Sequence, residues 1–160
     1  MTSSAKQPAG SKESDAAETG DEAHGMSETL ARAEAAVADL AKGYAGWALA
    51  DVAKARAALG LAREEPAQRA RHVDALFRVA HDLKGQGASF GFPLVTEIAH
   101  SLCTLTRDRA RDYQARHLEL AQSHLDAIEL VLSKGIKGEG GKIGAELVAR
   151  LEHRVSELPD

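Results

Sequence analysis

Apolar residues recur at every third or fourth position along most of this chain, and that period constrains its fold class more than any other feature. A period near 3.6 places the apolar side chains on one face of a helix. Hydrophobic residues make up 44% of the sequence and aromatic residues only 4%, a balance that favours helices packed through aliphatic side chains. No segment alternates with the period of a strand, and there is no internal repeat. The sequence therefore predicts an all-α protein.

Apolar stripes of helical period also predict how the helices are arranged. The stripes span residues 30–44, 47–59, 73–83, 94–105, 118–132 and 143–158. Gly43 and Gly46 separate the first two stripes, so we expect two helices there. The connections between the central helices are short, which makes consecutive helices antiparallel neighbours. We therefore expect an antiparallel four-helix bundle over about residues 44–134, with additional N- and C-terminal helices.

Composition divides the chain into three parts. Residues 1–26 are rich in Ser, Ala, Gly, Glu and Asp and have no large apolar residue before Met26, so we expect a disordered tail. Residues 27–134 contain the predicted bundle. Residues 135–160 begin in a glycine-rich stretch, which we expect to be a flexible linker, and end in an amphipathic helix. That C-terminal helix can dock on its own bundle or on a partner, and its pattern does not decide between them.

Charge, hydropathy and cysteine content exclude several classes of protein. The net charge of −4 and the lack of a clustered basic surface argue against nucleic-acid binding. No run of about 18 apolar residues and no signal peptide are present, so we expect a cytoplasmic protein without a membrane span. Cys103 is the only cysteine, which rules out an internal disulfide. His100 and Cys103 are too few to hold zinc, and His117 and His124 belong to another helix, so no metal site is expected.

The segment HDLKGQGASFGF (81–92) carries three glycines where a helix should continue. Each interior glycine costs a helix roughly 1 kcal/mol relative to alanine. Gly85 and Ala88 lie one and two turns beyond His81, within about 40° and 20° of its direction. The surface beside His81 is thus stripped of large side chains, with Lys84 at its edge. An exposed imidazole can accept a phosphoryl group, a nearby ammonium lowers the electrostatic cost of transfer, and a bare face lets another protein approach.

This segment resembles the signature of histidine phosphotransfer (HPt) domains of two-component phosphorelays. The matching positions are His81, Leu83, Lys84, Gly85, Phe90 and Gly91. The resemblance implies a four-helix bundle in which His81 takes phosphate from one receiver-domain aspartate and passes it to another. It also implies that Lys84 assists electrostatically, that Gly85 gives the receiver access and that Ala88 belongs to the partner surface. Partners would be response-regulator receiver domains, which supply Mg²⁺, and a (hybrid) histidine kinase.

Two residues on the next predicted helix leave the exact role open. Many family members carry Gln or Glu, which bonds to the active imidazole, at the position that Cys103 occupies here, and His100 matches a histidine of chemotaxis-type kinases. Both are candidate neighbours of His81. One alternative is therefore the phosphoacceptor domain of a chemotaxis-type histidine kinase, and another is a non-catalytic helical adaptor. The chain shows no glycine-rich P-loop and no kinase signature, so we expect no bound cofactor and no ATP-dependent activity of its own. We also expect a monomer.

Overall fold

The computed structural model describes the backbone of residues 15–159 and the side chains of residues 19–159. Over this range the chain is helical and contains no strand, which confirms the all-α prediction. The α-helices are α1 (Asp15–Glu64), α2 (Arg69–Gln86), α3 (Pro93–Thr106), α4 (Ala115–Lys134) and α5 (Gly141–Ser156). Short 3₁₀ turns at Pro66–Gln68 and Ala88–Phe90 precede and follow α2. No helix in the described part of the chain is long and apolar enough to cross a membrane.

Helix α1 is continuous where two helices were expected. It passes through Gly43 and Gly46, both of which are exposed, with open space where a Cβ atom would lie. Each glycine costs roughly 1 kcal/mol, whereas Tyr44 and Ala48 on the opposite face are buried in the core. Packing of the buried face outweighs the poor propensity of the exposed one, so the prediction of a break here was wrong.

The chain divides into two compact units, one ending at Asp39 and the other beginning at Leu40. In the first unit, residues 15–39 are helical and the side chains from residue 19 onward are exposed, including Met26, Leu30 and Val37. Residues 15–26 were assigned to a disordered tail and are helical here, while residues 1–14 lie outside the described part of the chain.

The second unit contains the hydrophobic core. Residues of α1 from Ala41 onward share it with buried residues of the four later helices. Helix α3 is the central element, since it packs against α2, α4 and α5. The fully buried side chains with the largest volumes are Tyr44, Phe92, Leu59, Leu76, Leu83, Leu94, Ile98, Leu102, Leu105, Leu120, Leu125 and Ile128. Aliphatic residues predominate among them, as the low aromatic content predicted.

The C-terminal helix docks on its own unit. Val148 and Leu151 of α5 are buried, and α5 packs against both α3 and α4. The residue that precedes α5 comes so close to α3 that a Cβ atom on Gly140 would lie 2.8 Å from Leu94 Cδ2. The amphipathic pattern did not decide whether this helix docks on its own bundle or on a partner, and in the structure it packs on its own unit.

The glycine-rich segment between α4 and α5 is tied to the turn that follows α2. The amide of Gly138 donates a hydrogen bond to the carbonyl of Gly91 over 3.1 Å. The Lys137 ammonium lies 5.2 Å from the centroid of the Phe92 ring, a cation–π contact. A segment that glycine content predicted to be flexible thus makes specific contacts beside the candidate site.

Candidate active site

His81 lies on the exposed side of α2, opposite a buried stripe. Val73, Leu76, Ala80 and Leu83 form that stripe and anchor the helix to the core. The His81 ring contacts Phe77, with 6.0 Å between the ring centroids and 42° between the ring planes. Within the described residues no hydrogen bond engages either ring nitrogen. The imidazole is exposed, and neither ring nitrogen has a partner in the described part of the chain.

The residues that follow His81 leave its surroundings open. Lys84 is half-buried one turn along α2, and Gly85 and Ala88 are exposed. A Cβ atom added at Gly85 would meet no atom within 4 Å. Packing among the described residues does not require a glycine here, so the space above Gly85 is open.

Gly87 has the opposite environment from Gly85. It is buried, and a Cβ atom there would lie 2.7 Å from Thr96 Oγ1 and 3.0 Å from the Phe92 carbonyl oxygen. Gly87 therefore allows α2 and α3 to pack closely. Thr96 was missed by the sequence reasoning, because a lone threonine on a helix carries no recognisable signal.

The turn after α2 is held by aromatic contacts. Gly91 has a φ of 87°, a left-handed conformation that favours glycine, and Pro93 begins α3. On either side of Gly91, the Phe90 ring stacks on Tyr44 at 4.7 Å between centroids and the Phe92 ring lies 5.8 Å from Tyr44. Burial, with the nearby charge of Asp51, raises the pKa of Tyr44 to about 12. Tyr44 thus connects α1 to the segment that terminates the candidate site.

The two candidate neighbours of His81 on α3 have different surroundings. Cys103 is buried and close enough to Lys84 for their charges to interact: burial raises the pKa of the Cys103 thiol, and the lysine opposes that shift. His100 is exposed and lines a surface cavity of about 260 Å³. The other residues lining the cavity are Ser101, Thr104, Glu152, Val155 and Ser156. Neither Cys103 nor His100 forms a hydrogen bond with His81 among the described side chains.

The two histidines of α4 have structural roles. His117 Nδ1 accepts a hydrogen bond from the Gln114 amide and completes a capping box at the start of α4, and burial together with Arg111 and Arg116 lowers its pKa. His124 is fully buried: its Nδ1–H donates to the Leu120 carbonyl. The Ser101 hydroxyl donates to His124 Nε2 over 2.8 Å. Over residues 19–159 there is no group of three or more side chains arranged to hold a metal ion.

Comparison with known proteins gives a family match that includes the segment 81–92. The family model described as Hpt domain matches residues 24–132, about two thirds of the chain, and the matched range includes His81, Lys84 and Gly85. No match was found among curated proteins or among solved structures. Since the family model covers more than half of the sequence, this chain belongs to the Hpt domain family, whose members carry out histidine phosphotransfer in two-component signalling.

Proposed function

We propose that this protein relays a phosphoryl group between receiver-domain aspartates, with His81 as the phosphoacceptor. The observation that carries the proposal is the exposed, unbonded imidazole of His81 beside the open face of Gly85. Lys84, one turn further along, supplies a positive charge at the edge of that face. The match to the Hpt family supports the proposal, because the matched range includes His81, Lys84 and Gly85.

In the proposed step, an unprotonated ring nitrogen of His81 attacks the phosphorus of an aspartyl phosphate on the receiver. The P–N bond forms as the P–O bond to the aspartate breaks, and the carboxylate leaves with the electron pair of that bond. Transfer to a second receiver is the reverse reaction. Lys84 would stabilise the negative charge on the transferring group. The receiver would supply the Mg²⁺, and the phosphate would enter the relay from a (hybrid) histidine kinase in the cytoplasm.

The finer architecture that we propose is an antiparallel four-helix bundle formed by α2, α3, α4 and the part of α1 from residue 40 onward. The shared hydrophobic core supports this arrangement. Ion pairs join α1 and α4 at the surface, because Arg56 contacts Asp126 at 2.8 Å and also contacts Glu129. Such a bundle would hold α2 rigidly while its outer face remains available to the receiver. We propose that the protein acts as a monomer.

The test is labelling of His81 by a phosphorylated receiver domain. We expect His81→Gln to abolish labelling while the helical circular dichroism stays unchanged. His153→Gln is the matched control, because His153 is also an exposed helical histidine but lies on α5. Labelling that persists in His81→Gln, or that is lost in His153→Gln, would contradict the assignment.

A second candidate function is the phosphoacceptor domain of a chemotaxis-type kinase. His100 favours it, since it is exposed on α3 nineteen positions after His81. Incubation with such a kinase and ATP, compared with a phosphorylated receiver, separates the two functions by which donor labels His81 faster. A protein that forms no phosphohistidine with either donor would instead be a helical adaptor.

A further inference from the structure

A side chain of α3 is inserted at the C-terminal end of α2, between residues 84 and 88. In a continuing helix the amide of Ala88 would donate to the carbonyl of Lys84, four residues earlier. Here the Ala88 amide donates to Thr96 Oγ1 over 2.8 Å, and the Thr96 hydroxyl donates to the Lys84 carbonyl over 3.1 Å. The hydroxyl therefore replaces one helical hydrogen bond with two, and it opens the turn between Lys84 and Ala88.

Gly87 makes the insertion possible. A Cβ atom at residue 87 would lie 2.7 Å from Thr96 Oγ1, which is closer than atoms that are not bonded can approach. The φ of Gly87 is −53°, an ordinary helical value, so glycine is needed here for space and not for its backbone freedom. Gly87 and Thr96 thus act together, although nine positions separate them in the sequence: the glycine leaves the space that the threonine hydroxyl fills.

The Thr96 hydroxyl bonds to the backbone of residues that lie near His81 on the same helix face. Lys84 and Ala88 are the two ends of the opened turn, and Gly85 lies between them. Replacement of Thr96 by a residue without a hydroxyl leads to one of two structural changes. Either the turn closes into regular helix, which moves Ala88 and the turn after it, or the Lys84 carbonyl and the Ala88 amide lose their partners. Both outcomes change the shape of the open face.

We propose that Thr96 is a positioning residue for phosphotransfer. Its hydroxyl sets the backbone geometry of the face on which the receiver domain lands, and it fixes the backbone from which Lys84 extends toward the phosphoryl group. Thr96 does not itself touch the reacting atoms. This inference rests on the proposed function of His81 and adds to it the residue that shapes the receiver-binding face.

The test compares Thr96→Val, which keeps the shape but loses the hydroxyl, with Thr96→Ser, which keeps the hydroxyl. Thr106→Val is the control, because Thr106 is a buried threonine of the same helix whose hydroxyl bonds within α3, to the Leu102 carbonyl. Each variant is labelled by phosphoramidate, a small donor that needs no docking face. Each is also labelled by a phosphorylated receiver domain from which the wild type accepts phosphate.

We expect Thr96→Val to raise the half-saturating receiver concentration roughly three- to tenfold, the scale set by losing one or two hydrogen bonds. Its labelling by phosphoramidate should stay within about twofold of wild type. Thr96→Ser should restore receiver-dependent transfer, and Thr106→Val should leave it unchanged.

Three results are distinguishable from one another. If neither phosphoramidate nor any phosphorylated receiver domain labels the wild type, the proposed function of His81 fails. If the wild type is labelled and Thr96→Val transfers phosphate from the receiver as well as the wild type does, the role of Thr96 is overturned. Equal losses in Thr96→Val and Thr106→Val would overturn it as well, because they would show a general effect of stability.

Discussion

Thr96 Oγ1 occupies the space that a side chain on Gly87 would need, since a Cβ atom at residue 87 would lie only 2.7 Å away from it. The Thr96 amide nitrogen would lie at 3.1 Å from the same atom, so backbone as well as side chain would have to move. We expect Gly87→Ala to destabilise the protein by about 1–3 kcal/mol despite alanine's better helix propensity. The midpoint of urea denaturation measures this. Gly85→Ala is the matched control, and a Gly87→Ala protein as stable as Gly85→Ala would refute the close packing.

The open space at Gly85 leads to a prediction about transfer. Gly85→Gln introduces a good helix former where no atom lies within 4 Å, so stability should hold or rise by up to about 1 kcal/mol. The same side chain would cover the face next to His81, and transfer from a receiver should fall at least tenfold. Gly46→Gln serves as control, because Gly46 is also exposed with open space around it but lies on α1. Transfer that is undiminished in Gly85→Gln would show that the glycine does not provide access.

Stability should depend on pH through the buried His124. Burial, and to a lesser extent the charge of Arg154, lowers the pKa of His124, while its bond to the Leu120 carbonyl opposes the shift. The unfolded chain, with a histidine pKa near 6.5, then binds more protons than the native state. The stabilisation is complete above pH 6.5 and is lost as the pH falls toward the lower native value. His117 contributes in the same direction.

Denaturation midpoints between pH 7.5 and 5.5 test this dependence. His124→Gln keeps a hydrogen-bonding side chain beside Ser101 but cannot titrate, so the slope of stability against pH should decrease by up to one proton. An unaltered slope in His124→Gln would mean that His124 does not contribute to the acid sensitivity.

The N-terminal residues should be dispensable for both folding and transfer. Every side chain of residues 19–39 is exposed, and the core begins at Ala41. Removal of residues 1–26 should therefore leave the transfer rate unchanged and the melting temperature within about 2 °C of wild type. Removal of residues 1–45 takes away Ala41 and Tyr44 and should lower the melting temperature clearly. A loss of transfer or stability in the shorter truncation would indicate that the tail docks.

The sequence alone determined the helical class and the face on which His81 lies, because helical periodicity depends on residues three and four positions apart. It also placed Lys84, Gly85 and Ala88 around His81 and identified the family. The helical class and the positions around His81 are local properties that follow from the spacing of residues along a helix, whereas the family was identified from the resemblance of the segment 81–92 to the HPt signature.

Only the tertiary structure decided what depends on contacts between distant residues. The continuity of α1 through Gly43 and Gly46 follows from burial of its opposite face, and the docking of α5 from Val148 and Leu151. Thr96 could not be found from the sequence, because its hydroxyl acts on a turn that ends eight residues earlier and belongs to another helix. Periodicity shows which face of a helix is buried, but it does not show which side chain of a neighbouring helix that face will meet.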